Sequence, residues 1–348
     1  MLLHYKKFSG IIIFSFVFGA GLAGILWTQQ DTIFKQEAQS FDMSSQEFRA
    51  LSSKEKLQVL KEFAQEHGVK EAREFLKRTY PDQPADEHEL IHIVGEVAFL
   101  DFGYEGLDFC DSLFSFGCYH GVVLEAVRQH GHDEEVFQNL ARGCLDLPHS
   151  KTTITACIHG IGHGVMVVGA YDLLASYQNC DKMFVDSENL FFCYDGVSME
   201  NVMRRFEQEG SIDYLTSEDP FYPCNTVPQK YQSACVREHI FHARRVFYEK
   251  DTEKTAEYCL YFTEEKTRSV CFSALGNVLN QEFFGSPKIV IEECRKVGKY
   301  SDLCITKAAS QYGFASQFSL ATILCEGLST SEMQKNCFGM LEYVKSTL

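Results

Sequence analysis

The sequence predicts an all-α fold: an α-solenoid of antiparallel helical hairpins, each stapled by a disulfide between neighbouring cysteines, behind one N-terminal transmembrane helix. Three observations carry this expectation. All fourteen cysteines fall after residue 100, in consecutive couples. Apolar residues recur at helical spacing, and alternating strand patterns of useful length are scarce. An uncharged apolar run, Gly10 to Trp27, lies close to the N-terminus.

The N-terminal elements follow from charge and length. Residues 1–9 carry Lys6 and Lys7, and the uncharged run occupies 10–27. As a helix that run is about 27 Å long, enough to cross a hydrocarbon core. Basic residues before it and acidic or polar residues after it place the body outside the cytoplasm by the positive-inside rule. Cleavage near Gly21-Leu22-Ala23, as in a signal peptide, is the rival reading. Apolar residues continue to Trp27, which favours an uncleaved signal-anchor. Residues 28–52 are polar and Ser-rich and read as a tether. From Ser53 the pattern turns helical, with Leu57, Leu60 and Phe63 on one face and Gly68 ending the run. A second helix, Lys70 to Tyr80, stops at Pro81.

Composition narrows the functional classes. Hydrophobic content of 45% with 23% charged residues excludes a disordered chain. A net charge of −16 argues against nucleic acid, which demands a basic surface. Fourteen cysteines, an even number, point to an oxidising compartment.

The cysteines then organise the body. Taken as neighbours they pair as Cys110–Cys118, Cys144–Cys157, Cys180–Cys193, Cys224–Cys235, Cys259–Cys271, Cys294–Cys304 and Cys325–Cys337. First members recur at 31 positions (Cys294 to Cys325) to 44 positions (Cys180 to Cys224), the period of helical-hairpin solenoids. Segments such as Asp133–Gly143 and Gly169–Asn179 read as first helices ending at the first cysteine. Segments such as Cys157–Val168 and Cys235–Phe247 read as second helices beginning at the second. Zinc scaffolds need tight C-x₂₋₄-C knuckles, and neither these nor a C-x-x-C-H haem motif occurs. The Cys110–Cys118 spacing and the repeat length resemble disulfide-bridged Sel1-like and tetratricopeptide-type repeats. The resemblance covers architecture from about residue 54 onward. The Gly/Ala/Tyr signature of those families is absent, so it implies a fold and no function.

Aligning the second helices on their cysteines brings the chemistry into register. His120, His159 and Asp195 stand two residues after a cysteine, each followed by glycine. Glu125, His163, Glu200 and His242 stand six or seven after it. Upstream, His88 and His92 fall into the frame of His159 and His163 without a cysteine. Histidines at i and i+4 share a helix face, which suits two ligands on one ion. His88, His92, His120, His159, His163 and Asp195 are therefore the metal-ligand candidates, with Glu125 or Glu200 as a catalytic base. With every thiol consumed, the donor set fits one or two divalent ions: zinc, iron, copper or manganese. A single His-Gly pair at a helix start is more often structural, and only the shared register across adjacent hairpins raises the metal reading above that. His239 and His242, ringed by Arg237, Arg244 and Arg245, read as facing an anion or the surface.

Familiar catalytic motifs fail. Glu238-His239-Ile240-Phe241-His242 is not H-E-x-x-H, Gly196-Val197-Ser198-Met199-Glu200 is not G-x-S-x-G, and no Walker or dinucleotide loop occurs. The expectation is a membrane-anchored, extracytoplasmic array of about eight hairpins. Residues 53–250 carry a His/acidic groove that binds a metal or small polar ligand, and 251–348 continue the hairpins without it. The alternative is a non-catalytic adaptor that holds an envelope protein on the solenoid face.

Overall fold

The computed structural model describes residues 43–347 apart from 82–86, 115, 132, 148–150 and 204–217. The apolar run 10–27 lies outside the described residues. Within them, no helix is long and apolar enough to cross a membrane.

The described residues form sixteen α-helices and no strand. In order these are α1 (Ser45–Ala50), α2 (Ser53–His67), α3 (Val69–Thr79), α4 (His88–Phe102), α5 (Gly117–His130), α6 (Glu134–Asp146), α7 (Lys151–Val168) and α8 (Leu173–Met183). They continue with α9 (Ser187–Met203), α10 (Gln229–Val246), α11 (Thr252–Tyr261), α12 (Glu265–Glu282), α13 (Pro287–Arg295), α14 (Ser301–Phe314), α15 (Phe318–Glu326) and α16 (Ser331–Thr347). A 3-10 stretch, Gly103–Phe109, stands where the first helix of the α5 hairpin would be.

Two layers result. One is the series α2, α4, α5, α7, α9, α10, α12, α14 and α16, each helix packed on the next. The other holds α3, the 3-10 stretch, α6, α8, α11, α13 and α15, each against a hairpin partner in the first layer. Such an array buries its apolar surface repeat by repeat, so stability is a sum of nearest-neighbour terms. All seven expected disulfides are present, with Cα–Cα distances of 5.3 Å at Cys110–Cys118 and 5.9 Å at Cys180–Cys193 bracketing the rest. No cysteine is free. Each staple is buried between the layers, where it substitutes for a larger common core.

The sequence misplaced the helix starts. The second helices begin several residues before their cysteines: α7 starts at Lys151, α9 at Ser187, α10 at Gln229 and α12 at Glu265. The reason is the local start chemistry. Asp186 accepts from the backbone N–H of Glu188 and Asn189, and Pro228 precedes α10. At Cys144–Cys157, Cys180–Cys193, Cys259–Cys271 and Cys325–Cys337 the disulfide therefore joins the last turn of one helix to the second turn of the next. Inside the stretch expected to be a tether, α1 forms behind a Ser44/Glu47 capping box. Its Phe48 is buried edge-on against Phe75 at 5.1 Å.

Some pairs in the first layer approach unusually closely, and glycine permits it. A Cβ on Gly121 of α5 would lie 2.0 Å from the His92 carbonyl of α4. One on Gly196 of α9 would lie 1.9 Å from the His159 carbonyl of α7. The glycine beside each site residue thus sets backbone against backbone, and the neighbouring side chains converge.

Candidate metal centre

Five imidazoles meet where α4, α5 and α7 pack side by side. On α4 the His88 and His92 rings are 4.8 Å apart, as one helical turn dictates. On α7 the His159 and His163 rings are 4.9 Å apart. His120 of α5 lies between the two pairs, 5.2 Å from His92 and 4.5 Å from His163. Two groups result, His88/His92/His120 and His120/His159/His163, whose candidate ligand atoms lie within 4.8 Å of one another. The ligands therefore split into two centres that share one ring.

The proton positions follow from the partners. The Phe114 carbonyl can only accept, so His88 donates to it from Nδ1 at 2.6 Å, leaving its lone pair on Nε2. His163 Nδ1 lies 2.9 Å from Glu200 Oε2, and Glu200 also accepts from the Tyr171 hydroxyl at 3.0 Å. His159 Nδ1 lies 3.1 Å from Asp195 Oδ2. Burial opposes ionisation of Asp195, but the Arg237 guanidinium and His159 outweigh it and hold its carboxyl below the usual range. With both Nδ1 atoms held by carboxylates, the Nε2 atoms of His159 and His163 face each other at 3.1 Å, a distance that a shared proton or a metal ion between them can satisfy.

Burial determines the charge state of the shared ring. His120 is 6% exposed, and desolvation reinforced by the surrounding imidazoles pushes its pKa well below the usual value. The positive end of a helix also disfavours an imidazolium, but it reaches only some of the rings. His88 opens α4 and His120 stands in the first turn of α5, but His159 and His163 lie mid-helix, beyond the reach of the terminus.

The other candidates lie apart from the imidazole lone pairs. Glu125 is buried but engaged by Arg128 and by Gln129, the latter at 3.0 Å. Asp195 and Glu200 sit behind His159 and His163, each on an Nδ1. His239 is 1% exposed and bonded to the Tyr258 hydroxyl at 3.0 Å, so it belongs to the core and not to the surface. Neighbouring Arg244 is equally buried, paired with Glu282 at 2.9 Å.

Three residues were missed. Arg237 sits 3.2 Å from Asp195 and 3.5 Å from Glu238. Burial and the nearby Asp195 carboxylate raise Glu238 to about 8. Burial and the neighbouring Arg237 lower Lys307 of α14 to about 8. Arg237 occupies the same frame position as His120, His159 and Asp195, two residues after its cysteine, so its signal was present in the alignment. No protein-family model, curated protein or solved structure matches the chain, and the five-histidine cluster stands on its own geometry.

Proposed function

We propose that this chain is a membrane-anchored, extracytoplasmic helical-repeat protein that binds a divalent transition metal at His120, His159 and His163. The disulfides support the oxidising side of a membrane, and the Lys6/Lys7-flanked run 10–27 supports the anchor. One observation carries the metal reading: the Nε2–Nε2 distance of 3.1 Å between two rings whose Nδ1 atoms are both held by carboxylates. With both rings neutral and each Nδ1 donating to its carboxylate, two lone pairs so placed repel, and a metal ion between them removes the repulsion without a second proton on either buried ring. Tetrahedral zinc with bonds of about 2.0–2.1 Å sets its nitrogen ligands about 3.3–3.4 Å apart, close to the spacing found.

Carboxylates behind ligating imidazoles are the usual outer support of such a site, fixing the tautomer and raising ligand basicity. An all-imidazole set favours zinc or copper over manganese, which prefers oxygen. Three protein ligands leave a fourth position for water or a substrate, as in hydrolytic zinc centres. A metal held there supplies a Lewis acid and lowers the pKa of bound water. Metal analysis of the full-length protein, purified in detergent, tests the reading. Stoichiometric zinc or copper that is lost in His163→Ala, with helical circular dichroism intact, is the expected result. A metal-free protein indifferent to added zinc, copper and chelator overturns it and leaves the adaptor reading.

A further inference from the structure

The ring shared by the two triads differs from its neighbours. His88, His159 and His163 each commit Nδ1 to an oxygen acceptor, which assigns Nε2 as the ligand atom. His120 makes no hydrogen bond among the described residues, and its Nδ1 is sealed from solvent without a partner. A buried polar atom left so costs about 1–3 kcal/mol, beside three rings, His88, His159 and His163, that are oriented by oxygen acceptors.

The setting of the ring indicates what those nitrogens face. The Cδ2 of His120 lies 3.1 Å from where a Cβ on Gly160 would stand, so that side of the ring faces α7. Nδ1 is on the ring edge opposite Cδ2, and His88 and His92 of α4 lie 5.4 and 5.2 Å away by ring centre. Each triad can take one ligand atom from His120, whose ring carries two nitrogens. Glycines at 121 and 160 keep both flanking helices close enough for this, since a side chain at either would displace a backbone or the ring itself.

We infer that the protein holds a second metal ion at His88 and His92, and that His120 joins the two ions as a bridging imidazolate. The inference rests on the site proposed above for the first ion. In balance, the neutral His120 ring gives its one N–H proton to solvent as the second metal–nitrogen bond forms. Each ion then has two terminal imidazoles and one bridge nitrogen. With bonds near 2.1 Å on either side of the ring, the ions stand about 6 Å apart. Burial that disfavours the protonated, cationic ring is compatible with this, because the two cations supply the charge that stabilises the anion.

Cu(II) is the probe, added to the stripped full-length protein in detergent and followed by electron paramagnetic resonance. The first equivalent should give a full-intensity mononuclear signal. The second should bind and reduce the spin count per copper well below half at low temperature, because an imidazolate couples the two spins antiferromagnetically. His92→Ala should bind one copper at full intensity. Two coppers with full spin count, or saturation at one copper in the unmodified protein, overturns the bridge and leaves the single site standing. No copper uptake overturns both. The readout on the unmodified protein does not depend on any variant folding.

Discussion

Gly196 faces the backbone carbonyl of His159 so closely that a methyl group on it would lie 1.9 Å from the oxygen. The contact sets α9 directly on α7 and brings Asp195 and Glu200 behind His159 and His163. Gly196→Ala must push the two helices apart, at a cost of about 1–3 kcal/mol or more. Its thermal midpoint should fall and its metal uptake weaken. Gly339 of α16 is the control, because a Cβ there meets nothing within 4 Å. Gly339→Ala should stabilise by about 0.5–1 kcal/mol through helix propensity alone. Thermal melts in which both variants move the same way contradict this account of the glycines.

The carboxylates behind the rings should tune affinity without being ligands. Glu200→Gln and Asp195→Asn should each weaken metal binding about 10–100-fold while stoichiometry stays as in the parent. Competition against a chromophoric chelator measures this. Complete loss of metal in either variant would show that the carboxylate binds the ion directly.

Removing staples should have local consequences. The Cys144–Cys157 disulfide anchors α7, which carries His159 and His163. Replacing both cysteines by alanine should cost about 2–5 kcal/mol and reduce metal uptake. The same change at Cys325–Cys337 should destabilise α15 and α16 and leave metal uptake untouched, since neighbouring repeats are coupled only through their shared faces. Equal loss of metal in both variants would contradict repeat-by-repeat stability.

Glu238 should make stability fall with pH. Its folded value of about 8 lies above the ordinary 4.5, so the folded chain binds the extra proton between those limits. That contribution is complete below about pH 4.5 and has been lost by about pH 8. Lys307 acts in the opposite sense but only above about 8, where its lowered folded value begins to matter. Glu238→Gln mimics the protonated acid. Its melting temperature relative to the parent should therefore be near zero at about pH 5 and rise steadily towards pH 8. Taking the difference cancels every titration common to the two proteins. A difference that stays flat contradicts the buried, protonated carboxyl.

Much of this architecture was legible because cysteine pairing and helical period act over short distances. Neighbour pairing needs only a hairpin turn, so all seven staples followed from order in the chain. Gly68 and Pro81 marked helix ends by backbone chemistry that is independent of tertiary context. Helix starts were harder, since Asp186 and Pro228 act several residues ahead of the cysteines that had served as markers. The five histidines were found by their register, but the sharing of His120 depends on interhelix distances that only close glycine packing sets. The roles of Asp195 and Glu200 behind the rings, and the presence of Arg237 beside Asp195, are likewise products of packing between separate hairpins.

Because the first cysteine of every couple is joined to the next one along the chain, the order of synthesis already specifies the bonding pattern. A chain crossing a membrane behind an N-terminal anchor exposes Cys110 and then its partner Cys118 before Cys144 emerges. Linking every thiol to its immediate successor, in order of arrival, gives the native set through to Cys337. An oxidase that joins consecutive thiols is then sufficient, and no isomerase is needed to reshuffle them.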